Sequence, residues 1–180
     1  MEYLKSLRIT EADAHAIVRE LIDAYGDDVW NYIFLMVKNK EAADDLSQEV
    51  FLAVFQSLHR FEGRSSPKTW ILAIARNASV NWLKSAFVKR VVLGGIVRTG
   101  GSHRSAEQEA LSRMGIRAIW RSVMKLPVKL REVLVLDAHH QLTYAEIAET
   151  LGVSEGTVKS RLHRARSKMD AMLQEEGERE

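Results

Sequence analysis

Apolar residues recur at helical intervals along most of the chain, and no alternating strand pattern persists. Ala16, Leu21, Ile22 and Tyr25 predict a first amphipathic helix, and Val29, Trp30, Ile33, Phe34 and Val37 predict a second. Asn39 is placed to cap a third, whose inward face repeats every four residues at Leu46, Val50, Val54 and Leu58. Phe61 leads into Glu62-Gly63-Arg64-Ser65-Ser66-Pro67, a run of turn residues. Trp70, Ile71, Ile74, Ala78 and Trp82 then predict a fourth helix. Residues 87–106 hold four glycines and no helical period, the mark of a flexible linker, although Val91-Val92-Leu93 is apolar enough to dock. Beyond it, Leu111, Met114, Ile119, Val123 and Leu126 predict a helix ending before Pro127, and Leu130, Val133, Leu134 and Leu136 another. The expected fold is all-α: two small helical domains, 11–86 and 107–174, joined by the linker 87–106.

The last two elements form a helix-turn-helix. Thr143-Tyr144-Ala145-Glu146 is a capping-box sequence, in which Thr143 and Glu146 satisfy each other's free amides. Gly152 falls where a helix stop needs positive φ, and Ser154 can cap the next helix, from Glu155 to about Leu173. Val158, Leu162, Ala165, Met169 and Met172 make one buried stripe on that helix. Lys159, Ser160, His163, Arg164 and Arg166 fall outside it. A helix with an apolar back and such a polar front fits a DNA major groove. The plainer alternative is a solvated basic face on a packing helix.

Composition narrows the classes. A hydrophobic content of 46% supports packed cores and excludes general disorder. The net charge of +2 excludes a histone-like polycation. It is an average: residues 1–86 carry 10 basic and 12 acidic side chains, 87–106 carry four basic and no acidic, and 107–180 carry 12 of each. Within the last segment, 159–168 has five basic residues and no acid, the footprint a phosphate backbone needs. The absence of cysteine excludes disulfide scaffolds and thiolate zinc sites. No apolar stretch approaches the roughly 20 residues that span a bilayer, and Met1–Thr10 does not read as a signal peptide. A soluble, cytoplasmic protein without membrane insertion is expected.

Leu142–Ala148 followed by Gly152–Arg166 resembles the promoter-reading region of the extracytoplasmic-function (ECF) group of bacterial sigma factors. Ala43-Asp44-Asp45-Leu46-Ser47-Gln48-Glu49-Val50-Phe51 resembles that family's polymerase-binding helix, and Phe61–Asn77 its promoter-melting segment. Leu126–Val133 resembles the start of its C-terminal domain. These matches cover most of the chain in family order; the linker matches no such pattern.

The resemblance implies a sigma factor that binds core RNA polymerase and promoter DNA, with an anti-sigma factor as a further partner. Asp44, Asp45, Gln48 and Glu49 would dock on a coiled coil of the largest polymerase subunit; alone, they read as an ordinary solvated acidic face. Gly63, Arg64, Ser65 and Ser66 would shape a pocket for a flipped base of the −10 element, with Lys68, Arg76, Asn77, Asn81 and Lys84 facing the DNA. Trp70 and Trp82 could stack on bases, but their place on the apolar stripe favours core packing. Thr143, Tyr144, Thr157, Lys159, Ser160, His163 and Arg164 would serve the −35 element, with Arg161 and Arg166 on phosphates. The basic linker would contact nucleic acid or act as a spacer.

Two other functions compete. An autonomous helix-turn-helix repressor or activator needs neither the acidic face nor the Gly63–Asn77 segment. An enzyme acting on nucleic acid would need a nucleophile, phosphate loop or metal cluster, and none accompanies the carboxylates. No cofactor or metal is expected. His139-His140 is a metal pair by composition only, because adjacent helical residues point apart, and it reads as a loop or surface feature.

Overall fold

The computed structural model describes residues 11–92 and 118–177, and their regular structure is entirely helical. Three helices form the first unit: α1 (Glu11–Val37), α2 (Lys40–Ser57) and α3 (Pro67–Val92), with a 3-10 turn at Leu58–Arg60. Four form the second: α4 (Ala118–Lys125), α5 (Val128–Ala138), α6 (Tyr144–Leu151) and α7 (Glu155–Gly177).

The two expected N-terminal helices are one. α1 runs unbroken through Gly26, where a glycine costs about 1 kcal/mol relative to alanine. Packing outweighs that cost: Val29 and every residue from Tyr32 to Val37 are buried. A helix segment buried on all sides needs neighbours on all sides. Here α2 and α3 flank it, and α5 of the second unit completes the enclosure. Lys38, at φ 57, stops the helix. Asn39 then caps α2 as expected, accepting from the Ala42 amide at 2.8 Å, and Leu46, Val50, Val54 and Leu58 all face the core.

α3 departs from expectation in two respects. Of its expected apolar face, Ile71 is fully buried, while Trp70, Ile74, Ala78 and Trp82 are only partly covered. Thr69, Leu72, Ala75 and Ser79 are buried as well, because α6 packs along α3 and gives it a second covered side. The helix also continues to Val92, so 87–92 are helical rather than linker. The remaining linker expectation, 93–106, and the apolar positions Leu111 and Met114 lie outside the described residues.

The second unit follows its pattern closely. Both halves of the Thr143–Glu146 capping box form, and Gly152 closes α6 at φ 63. Ser154 accepts from the Thr157 amide at 3.2 Å. Val158, Leu162, Ala165 and Met169 are buried, with Met172 partly so.

Candidate nucleic-acid interface

The recognition-type helix α7 shows the expected division by face. Lys159, Ser160, His163, Arg164 and Arg166 are exposed opposite the buried stripe. Arg164 bonds only within its own helix, to the Ser160 carbonyl at 3.3 Å, and Lys159 lies 5.9 Å over the Tyr144 ring. Thr157 is half-buried and shares a 3.0 Å hydroxyl contact with Ser154. Arg166 pairs with Asp137 at 2.9 Å. Thr143 is committed to its cap: Glu146 Oε2 accepts from its amide at 2.9 Å and its hydroxyl at 2.8 Å, and these bonds hold the Glu146 carboxyl below its usual range.

On the first unit, Asp44, Asp45, Gln48 and Glu49 are all exposed on one side of α2. Asp44 also accepts from the Trp30 indole at 2.7 Å. The loop before α3 turns at Gly63, φ 68. Ser66 caps the helix by accepting from the Thr69 amide at 3.0 Å, with Pro67 at its first position. Beside this loop lies an open cleft of about 320 Å³, lined by Arg60, Phe61, Glu62, Arg64, Ser65, Trp70 and Glu149. Trp70 packs against Phe61 at 4.7 Å, which leaves its indole both in the wall of the cleft and against the core. Asn77, Asn81 and Lys84 are exposed further along α3.

The units meet along a polar seam that the hydrophobic pattern did not disclose. Glu132 on α5 is buried between two cations from different helices, Arg76 on α3 at 3.7 Å and Arg161 on α7 at 3.4 Å. Burial pushes its carboxyl up, and the two arginines oppose that shift. The neighbouring Arg131, also buried, donates to the carbonyls of Met124 at 2.7 Å and Met36 at 2.9 Å. Burial draws its guanidinium down to about 10, so it stays charged at neutral pH. Asp28 pairs with Lys68 at 3.0 Å and approaches His140 at 3.3 Å; the proximity of His140, and then of Lys68, holds its carboxyl down at about 2. Glu146 accepts from the Thr69 hydroxyl at 3.1 Å. Thus Lys68, Arg76 and Arg161, all expected on DNA, spend their charge on carboxylates here. His140 is also no surface feature: its side chain is 0% exposed, and burial draws both His139 and His140 down. In the sequence, Arg131 and Glu132 look like any polar pair on a helix; their burial depends on the second unit docking.

Comparison with known proteins gives one family match on each unit. The model of Sigma-70 region 2 matches residues 21–86, and that of Sigma-70 region 4 matches residues 116–169. The chain is 34% identical to the ECF RNA polymerase sigma factor SigX of Bacillus subtilis (strain 168), over 80% of this chain and 77% of that protein. The chain belongs to the ECF RNA polymerase sigma factors. It is also 30% identical to the RNA polymerase sigma factor YlaC of the same strain, over 91% of this chain and 95% of that one. Its fold matches the sigma factor RpoE of Bartonella quintana, solved with the anti-sigma factor NepR, at a TM-score of 0.68, 19% identity, and coverage of 87% and 96%. As a sigma factor, it is a transcription initiation factor that binds core polymerase and recognises promoters. The autonomous repressor or activator is not favoured, since the first unit carries its own sigma-factor match. Among the described residues, no helix is long and apolar enough to cross a membrane.

Proposed function

We propose that residues 11–86 bind core polymerase and open the −10 element, that 107–174 read the −35 element, and that the chain catalyses no reaction of its own. The observation that carries this reading is α7: Val158, Leu162, Ala165 and Met169 anchor it while Lys159, Ser160, His163 and Arg164 stand free of the core. The Asp44–Glu49 face docks on the largest polymerase subunit. A flipped base of the −10 element enters the cleft beside Arg64 and Ser65.

DNA engagement requires the units to part. Glu149 of the second unit forms part of the cleft wall and so stands in the way of an entering nucleotide. Arg76 and Arg161 become available only when Glu132 releases them. The protein acts in the cytoplasm, and an anti-sigma partner holds it inactive, a reading supported by its family and by the complex in which RpoE was solved. The test is transcription in vitro: core polymerase with this chain should initiate at discrete sites on genomic fragments, and core alone should not. Unchanged start sites on adding the chain would refute the reading.

A further inference from the structure

Asp28, His139 and His140 gather where the two units meet. Asp28 belongs to α1, and the histidines follow the end of α5. One donor atom from each lies within 4.8 Å of the others, and no other three His, Cys, Asp or Glu side chains among the described residues are so placed. The His140 ring is fully buried, 5.8 Å from the Tyr32 ring, and neither of its nitrogens has a hydrogen-bond partner. Its Nδ1 is 3.3 Å from Asp28 Oδ1 but not aligned for a bond. A buried polar atom left so is costly. Asp28 Oδ2 is taken by Lys68 at 3.0 Å, which leaves Oδ1 turned to the histidines. His139 stands edge-on to His140, with ring centroids 4.7 Å apart.

We propose that these three side chains bind one divalent transition-metal ion of the zinc class, and that the ion fastens the first unit to the second. Two imidazoles and a carboxylate suit zinc, whereas magnesium and calcium require oxygen donors. Zinc at its usual ligand distances sets donors roughly 3.3 Å apart. The Asp28–His140 pair already has that spacing, and a His139 nitrogen lies within 4.8 Å of both donors. Three protein donors leave a fourth position for water. The Lys68 ammonium opposes a dication, which favours reversible binding over a permanent structural site. Because the ligands come from both units, occupancy resists their separation.

The test is titration of the full chain with Zn²⁺ against a chromophoric chelator at neutral pH. One equivalent should bind, and Asp28→Asn and His139→Gln should each weaken binding by roughly tenfold or more with unchanged helical content. Both positions are partly exposed, so these variants fold without repacking a core. Co²⁺ should give visible d–d bands that Asp28→Asn alters. Failure to take up zinc saturably would overturn the site. So would uptake that Asp28→Asn leaves unchanged, since the ion would then not bridge the units.

Discussion

Arg76 and Arg161, on helices from opposite units, converge on the one carboxylate of Glu132. Glu132→Gln removes the shared charge and leaves two cations facing each other. Both arginines are partly exposed, so the closed arrangement should weaken by about 1–3 kcal/mol rather than by the larger cost of a fully buried pair. The chain has no cysteine of its own, so one thiol can be introduced on each unit for dye labelling. Single-molecule energy transfer should then show a larger population of separated units in the variant. An unchanged distance distribution would mean that the pairings do not hold the seam.

Reversing Asp45 and Glu49 together to arginine should abolish capture by core polymerase. Both are exposed, and surface changes of this kind usually shift stability by less than about 0.5 kcal/mol. Asp44 is left alone because it holds Trp30. Circular dichroism should be unchanged while co-purification with core is lost; retained co-purification would place the docking face elsewhere.

Arg164→Ala should weaken promoter selection by roughly 1–3 kcal/mol if the guanidinium contacts a base edge. Its hydrogen bond among the described residues is to its own helix, so the fold should not suffer. Transcription from a promoter with an intact −35 element should fall towards that from a scrambled one. Equal discrimination by variant and parent would remove Arg164 from the reading set.

Gly152→Ala tests the turn between α6 and α7. A Cβ there would meet nothing within 4 Å, so the penalty is backbone strain alone, from φ 63. The expected loss is about 1 kcal/mol, and Gly152→Asn should lose less. Thermal unfolding of both variants measures it.

Acid should loosen the start of α6. The Glu146 carboxyl is lowered by its bonds to Thr143, so the folded state favours the ionised form. The stabilisation is therefore complete above the unfolded value, near 4.5, and is lost as pH falls through the lower folded value. The difference in melting temperature between the parent and Glu146→Gln should be steady near neutral pH and shrink below about pH 4.5. A gap that persists in acid would assign the stabilisation to packing.

The helix-turn-helix was legible because each of its signals is local: a cap pair three residues apart, a glycine at the stop, and a stripe of fixed period. α2 was legible for the same reason. α1 was read as two helices, and what carries it unbroken through Gly26 is enclosure of Tyr32–Val37 by α2, α3 and α5, the last two distant in the chain. The seam was illegible because its residues are individually ordinary. Lys68, Arg76 and Arg161 look like free cations until Asp28 and Glu132 arrive from other helices. His140 looks like a surface residue until Tyr32 covers it.

Arg131 reaches across the seam to a main-chain oxygen, that of Met36, rather than to a side chain. Every amino acid carries that oxygen. Mutation at position 36 therefore leaves the acceptor in place as long as α1 keeps its course, whereas a change at position 131 removes the donor outright. At this latch the constraint is asymmetric: position 36 is free to drift, and position 131 is not. Hybrids that graft a different N-terminal half onto this C-terminal half should keep the latch; the reverse graft keeps it only if the incoming half brings its own arginine.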